Sequence, residues 1–355
     1  VLPDAPETLS PESLAPVLLP WYDAHGRTLP WRGIGDPWAI WVSEVMMQQT
    51  RVETGLKHWD RFIARFPTVQ SMAESTEDEV LAQWSGLGFY RRARNLHRGA
   101  CLVVADHGGV VPTDPALLGA LPGVGRYTVG AILSAAHDAR LPILDGNVIR
   151  LLSRLFVVDG AVDRAATKKR LWGLAEAVLP AARVGDFNQA LMDFGSQHCS
   201  PTSPRCDSCP LRPGCGAYAA GRVEELPVAG KKARVVAERR VALLVERADG
   251  SFVVEKRPSE GLLAGLWQLP SGPADAGVEP LAHALGVTAG PRVGGAEHRF
   301  SHRHWTIDVY ATRAEAVTLG PTQRWVTDAE LGELALPTAS RKALDAARSK
   351  QPQLL

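Results

Sequence analysis

The stretch from Cys199 to Cys215, "CSPTSPRCDSCPLRPGC", holds four of the chain's five cysteines at the spacing C-x6-C-x2-C-x5-C. Nothing else in the sequence constrains the fold as tightly. One centre bound by all four thiols has to gather a proline-rich loop around itself. In a reducing compartment such a cluster reads as a metal or iron–sulfur site rather than two disulfides. Zinc accepts four thiolates as readily as an iron–sulfur cluster does, so the spacing leaves both open. The fifth cysteine, Cys101, lies in "HRGACLVVAD", a helical apolar context, and reads as a core residue.

Two textures divide the 355 residues. Up to about Ala220, apolar positions recur at three and four in "PESLAPVLLPWYDAH", "DEVLAQWSGLG", "YTVGAILSAAHDA" and "KKRLWGLAEAVLP", which predicts helices. "HGRTLP", "PTDP" and "DGN" supply the turns between them. "RVEELPVAGKKAR" lacks periodicity and reads as a linker. Beyond it, "RRVALLVERADGSFVVEKRP" predicts two strands around a turn at Ala248-Asp249-Gly250. "HWTIDVYATR" alternates as a further strand, and "TASRKALDAARS" is a closing helix. The expected domains are therefore a helical one at 1–221, a linker at 222–235 and an α+β one at 236–355. Charges interrupt every apolar run short of a membrane span. "VLPDAPETLSPESLAP" lacks the basic start and apolar core of a secretory signal, which makes the cytoplasm the expected compartment. A net charge of +1 names no partner. To bind DNA, such a chain must gather its positive charge on one surface.

"LLGALPGVGRYTVGAILSAA" reads as helix, tight turn, helix. Gly123 and Gly125 permit unusual backbone angles and leave amides bare at the start of the second helix. Amides at a helix start suit an anion such as a duplex phosphate. Two carboxyl groups stand in contrasting settings. Glu44, in "WAIWVSEVMMQQT", sits on a helix apolar on nearly every side, with Met47 beside it and Gln48 one turn on. Desolvation raises a carboxyl pKa and makes a general acid. Asp145, before "GNVIRLLSR", reads as a helix N-cap. Amide donors and the helix dipole are expected to keep it ionised, as a stabiliser of positive charge requires.

"WVSEVMMQQTRVET", "LPGVGRYTVGAI", "LPILDGNVIRLLSR" and the four-cysteine loop follow one another in an order that resembles the helix–hairpin–helix endonuclease III superfamily. Their wording is similar to the MutY family of adenine DNA glycosylases. That resemblance implies a mostly α-helical glycosylase domain with an iron–sulfur cluster loop and an α+β, Nudix-like C-terminal domain. It implies a monomeric enzyme acting on double-stranded DNA. The enzyme would hydrolyse the glycosidic bond of adenine opposite 8-oxoguanine or guanine and leave an abasic site. By the same resemblance, Cys199, Cys206, Cys209 and Cys215 hold one 4Fe–4S cluster. Glu44 protonates adenine at N7, and Asp145 stabilises the sugar with help from Asn147. Tyr127 stands where strand-cutting relatives carry a nucleophilic lysine, so the bond is broken by water. Arg27, Trp31, Arg32 and Gln189 resemble residues lining the adenine pocket, with Met47, Gln48, Thr50 and Tyr90 among the substrate contacts. Gln49 and Phe89 resemble residues that wedge the duplex. Many relatives read Tyr-Tyr where this chain has Phe89-Tyr90, which puts a hydroxyl contact in doubt. Arg205 and Arg212 flank the cysteines and, like Gly123 and Gly125, can meet phosphates.

"RPSEGLLAGLWQLPSG" also resembles the family, but the glutamate run of Nudix catalysis does not follow Gly272. The second domain is therefore expected to bind without hydrolysing. "HRFSHRHW" matches the Phe-Ser-His loop that contacts 8-oxoguanine, at Phe300, Ser301 and His302. A metal site on His298, His302 and His304 is the alternative, although no neighbouring Cys or acidic group completes convincing ligand spacing. Other readings of the whole chain are a thymine-mismatch or endonuclease III-like glycosylase, or a non-catalytic DNA-binding iron–sulfur protein.

Overall fold

The computed structural model describes residues 9–231 and 234–349. Expectations for the first eight residues, and for residues 232–233 of the linker, lie outside that range. The chain forms two compact units. The first gathers the chain up to Gln49, Phe66–Ser71, and the stretch from Arg98 to the linker. The second gathers Thr50–Arg65, Met72–His97 and the C-terminal sequence.

The helical sequence runs α1 (Ala15–His25), α2 (Pro37–Met47), α3 (Val52–Arg65), α4 (Val69–Ala73), α5 (Glu77–Gln83) and α6 (Arg91–His107). It continues with α7 (Pro115–Gly119), α8 (Arg126–His137), α9 (Gly146–Leu155), α10 (Ala165–Ala177), α11 (Val184–Gln197) and α12 (Gly216–Ala219). Pro37 at the first turn and the Asp36 carboxylate, which accepts from the Trp38 amide, start α2. Every residue of α2 from Trp38 to Met46 is buried, as its apolar sequence demands. In the first unit α11 packs against α1, α8 and α9, while α2 packs against α8. Leu18, Ala131, Leu151, Phe187, Leu191 and Phe194 share the core between them. Gly195 makes the α9–α11 approach possible. A Cβ there would stand 2.8 Å from the Asn147 carbonyl oxygen. Five helices thus converge on one region, with the expected acid on α2, the tyrosine on α8 and the aspartate capping α9.

The second unit carries a mixed sheet of β1 (Val236–Glu246), β2 (Phe252–Lys256), β3 (Trp267–Gln268), β4 (Ser271–Pro273), β5 (Arg292–Arg299), β6 (Arg303–Arg313) and β7 (Gln323–Val326). Its order is β3-β2-β1-β6-β5, with β4 paired to β1 and β7 to β2. β1 and β6 run parallel, and the other pairs are antiparallel. The "VALLV" run of β1 is buried throughout. Ala242 and Leu244 join one core with Leu344 and Ala347 of α14 (Thr338–Arg348). Leu243 and Val245 join another with Ala282 of α13 (Glu279–Ala284). Side-chain alternation along a strand explains how one strand feeds both faces. The two expected hairpin strands, the third strand and the closing helix are all present. β5, β7 and α13 were not legible in the sequence pattern. Among the described residues, no helix is long and apolar enough to cross a membrane.

Candidate active site

Glu44 is buried on α2 and meets the chain again 83 residues later. The Tyr127 hydroxyl, one residue into α8, donates to its Oε2 at 2.8 Å. Burial pushes the Glu44 carboxyl up to about 7, opposed by the Tyr127 bond, assisted by the negative charge of Asp145 and opposed by Arg32. The same enclosure raises the Tyr127 hydroxyl well above its usual value, so the phenol stays protonated and acts as a donor. Its oxygen also lies 3.4 Å from Sδ of Met192 on α11, a contact sequence reasoning missed. Gln48 closes α2, and its Nε2 reaches Thr128 Oγ1 at 3.5 Å.

Asp145 caps α9 as expected: Oδ1 accepts from the Val148 amide at 2.8 Å and Oδ2 from Asn147 Nδ2 at 2.9 Å. The direction of its pKa shift is set by burial rather than by the cap. Burial raises the pKa, and the Val148 and Asn147 bonds offset only part of that cost. The cap therefore moderates a desolvated carboxylate rather than making an unusually strong acid.

α9 ties this cap to the cysteine loop. Arg150 donates to Asn147 Oδ1 at 2.9 Å, to the Cys199 carbonyl at 2.8 Å and to the Gly195 carbonyl. Arg154, one turn on and buried, sends Nη1 to Cys199 Sγ at 3.2 Å and to the Ser200 carbonyl at 2.8 Å. Cys199, Cys206, Cys209 and Cys215 line one cavity together with Arg154, His198 and Leu211. Burial raises the Cys206 and Cys215 thiols and pushes Cys209 up to about 11. Thiolates there need cationic company, and the buried guanidinium of Arg154 supplies some of it. Arg205 and Arg212 lie exposed on the loop, as a phosphate contact requires.

A second unforeseen residue is Asp193, which has no exposed surface. Arg27 donates to it through its amide at 3.0 Å and its Nε at 2.7 Å, and Arg32 through Nη1 at 2.7 Å and Nη2 at 3.0 Å. Arg32 also lies 5.7 Å from the centre of the Tyr22 ring. Trp31 is buried, and Gln189 is half-buried on α11.

The glycine turn separates α7 from α8 as expected, but its two glycines differ. Gly123 has φ +77°, a left-handed conformation that favours glycine. Gly125 is the extended N-cap of α8 with φ −101°, and a Cβ there would meet nothing within 4 Å. What glycine leaves at that position is an open amide, not an unusual angle. Gln49 and Phe89 are both exposed and both left-handed, at φ 56° and 48°. The conformation carries backbone strain for a non-glycine residue, and Asp138, Val157, Arg183, Ser203 and Leu263 adopt it too. In the second unit Arg92 lies under the Phe89 ring at 5.4 Å and donates to Thr50 Oγ1 at 3.1 Å. Tyr90, by contrast, is buried with its hydroxyl on the Leu336 carbonyl at 3.4 Å, which places it in the interior rather than at the surface.

Phe300 and Arg303 close the β5–β6 hairpin through an amide–carbonyl bond of 2.7 Å, leaving Ser301 and His302 exposed at its tip. Phe300 packs edge-on to Trp305 at 4.9 Å and to His298 at 4.5 Å, which anchors the loop. His304 is 3.3 Å from Glu297 across the hairpin. Among the described residues, no three or more His, Cys, Asp or Glu side chains gather closely enough to hold a single metal ion, neither these histidines nor the four cysteines.

Residues 42–177 match the HhH-GPD superfamily of base excision DNA repair proteins, and residues 241–346 match the NUDIX domain. The adenine DNA glycosylase of Rattus norvegicus is 35% identical over 391 residues, covering 92% of this chain and 76% of its own length. That of Buchnera aphidicola subsp. Schizaphis graminum is 37% identical over 256 residues, covering 72% and 74%. A solved thermostable thymine-DNA glycosylase, 29% identical, superposes with a TM-score of 0.55 over 59% of this chain and 97% of its own. These two curated relatives each match along more than two thirds of both lengths at 35% identity or better, and the chain belongs to the adenine DNA glycosylase family.

Proposed function

We propose that this protein excises adenine from double-stranded DNA by hydrolysis, with Glu44 as the acid and Asp145 as the anion that steadies the sugar. The observation that carries this reading is the pairing of a buried carboxyl raised to about 7 with a capped aspartate beside it. Adenine is a poor leaving group unless protonated, and its departure leaves positive charge on the sugar. Oε2 of Glu44 accepts from Tyr127, so the proton for the base is carried on Oε1. Ionised Asp145 favours the protonated Glu44 and the positive sugar together. Asn147, held by Arg150, fixes the orientation of Asp145 and leaves it facing the attacking water. No amine stands at Tyr127, so no Schiff base forms and the strand stays intact.

The partner base we propose is 8-oxoguanine or guanine, read by Phe300, Ser301 and His302. The exposed hydroxyl and imidazole at an anchored hairpin tip support that role. Adenine has to leave the base stack first, and exposed Gln49 and Phe89 are placed on strained turns fit for wedging. Cys199, Cys206, Cys209 and Cys215 would hold a 4Fe–4S cluster, since all four line one cavity and Arg154 offsets thiolate charge. With a cluster bound, these four cysteines would clip the loop that carries Arg205 and Arg212; glycoside hydrolysis itself transfers no electron. We place the enzyme in the cytoplasm as a monomer.

Incubation with duplexes holding adenine opposite 8-oxoguanine, adenine opposite guanine, and thymine opposite guanine tests the reading. Abasic sites should form on the first two. Release of thymine without adenine would overturn it.

A further inference from the structure

Asp193 spends a fully buried carboxylate on two arginines. Such a group is costly unless its partners satisfy it, and here both guanidinium groups and one backbone amide do so. The arginines are also tied to each other, because Arg32 Nη1 donates to the Arg27 carbonyl at 3.0 Å. One negative charge against two positive ones leaves an excess cation near the acid. Its effect reaches Glu44, where Arg32 favours the ionised form. The other titratable groups facing Glu44 are Tyr127 from α8 and Asp145 from the start of α9. The residue before Asp193 is Met192, which touches the Tyr127 hydroxyl. Consecutive residues of α11 therefore meet the donor on Glu44 and the guanidinium of Arg32 that acts on it.

We propose that Asp193 is a positioning residue for the acid. It fixes Arg27 and Arg32 and masks enough of their charge for Glu44 to keep its proton. This rests on the reading of Glu44 as the proton donor.

Without Asp193, unmasked arginines would draw the proton off Glu44 at lower pH. The excision rate of the full-length protein should therefore fall at a lower pH than in the parent. Single-turnover release of adenine opposite 8-oxoguanine, measured from pH 5.5 to 9, reads this directly. In Asp193→Asn the high-pH limb should move down by about one pH unit. In Arg32→Gln it should move up, since a cation is removed. Asp193→Glu, which keeps the charge, should leave the limb near the parent position. If Asp193→Asn only lowers the rate at every pH and leaves the limb in place, Asp193 merely builds the core and the proposal is wrong. Should Asp193→Asn fail to fold, an unmoved limb in Arg32→Gln refutes the proposal alone. Glu44→Gln, run alongside, tests the underlying reading separately. A parent-like limb in that variant belongs to another group and removes the basis of both.

Discussion

Glu44 and Ser301 are both proposed to meet a purine, yet they sit in opposite surroundings. Glu44 is 8% exposed on a helix whose neighbouring residues are all buried, and its protonation is set by groups from three other chain segments. Ser301 is exposed at the tip of a two-residue turn anchored by Phe300 beneath it and by the Phe300–Arg303 bond. Chemistry at neutral pH needs a carboxyl moved far from its ordinary pKa, and at Glu44 desolvation by a packed core is the largest cause, with the charge of Asp145 adding to it. Reading a base edge needs reach and one hydroxyl, which a hairpin supplies without burial. Substitutions in the two places should therefore differ in size and in kind.

Glu44→Gln should have the largest effect. It keeps shape and the Tyr127 partner but removes the proton, and general acid catalysis is worth about 10²–10⁴-fold. Single-turnover excision should fall within that range while duplex binding persists. A near-parent rate would abolish the contrast, since the buried site would then be no more sensitive than the exposed one.

Tyr127→Lys puts an amine into the same enclosure. Desolvation lowers a lysine pKa and frees its lone pair for attack on the sugar. Borohydride should trap an enzyme–DNA adduct well above the parent level. Equal trapping by the parent would mean that the site already works covalently.

Gly195→Ala sharpens the comparison from the packing side. The new Cβ meets the Asn147 backbone at 2.8–3.0 Å, and neither helix can give easily. Overpacking of this kind costs about 1–3 kcal/mol, readable in the denaturation midpoint, and should lower excision by shifting Asn147. Gly125→Ala has open space and ordinary angles, and should leave stability nearly unchanged. Equal losses for both would show that the α9–α11 approach is not tight in solution.

Ser301→Ala should have the smallest effect. Oxidation turns N7 of guanine from acceptor to donor, which a serine hydroxyl can accept. One hydrogen bond contributes about 0.5–1.5 kcal/mol, so the preference for 8-oxoguanine over guanine should drop only a few-fold. Ser301→Ala/His302→Ala should lose more than either single change. An equal loss on both duplexes would make the tip a general DNA grip.

The residues legible in the sequence are those whose motif is local. Asp145 before "GNVIRLL" and Glu44 within an apolar helix declare their settings over a few neighbours, and the cysteines declare theirs by spacing. What stayed hidden depends on contacts across long stretches of chain. Asp193 finds Arg27 across 166 residues, and Met192 finds Tyr127 across 65. One signal was available: Asp193 falls three residues after Ala190 and one before Phe194, on a buried face of α11. A carboxylate there demands cations, though nothing local says which. The raised pKa of Asp145 was hidden likewise, because the cap is written beside it whereas its burial comes from packing. In the second unit, β5 escaped because Gly294 and Gly295 interrupt its alternation, although its pairing with β6 holds the Ser301 tip.

The most direct test of the central claim is the pH dependence of single-turnover adenine release from a duplex with adenine opposite 8-oxoguanine. Glu44 is raised to about 7 and acts while protonated. The rate should hold below that pH, then decline about tenfold per unit as pH rises through it, and the decline should vanish from the residual activity of Glu44→Gln. A parent rate that stays level to pH 9, or an unchanged decline in Glu44→Gln, would contradict the claim that burial of this one carboxyl supplies the proton.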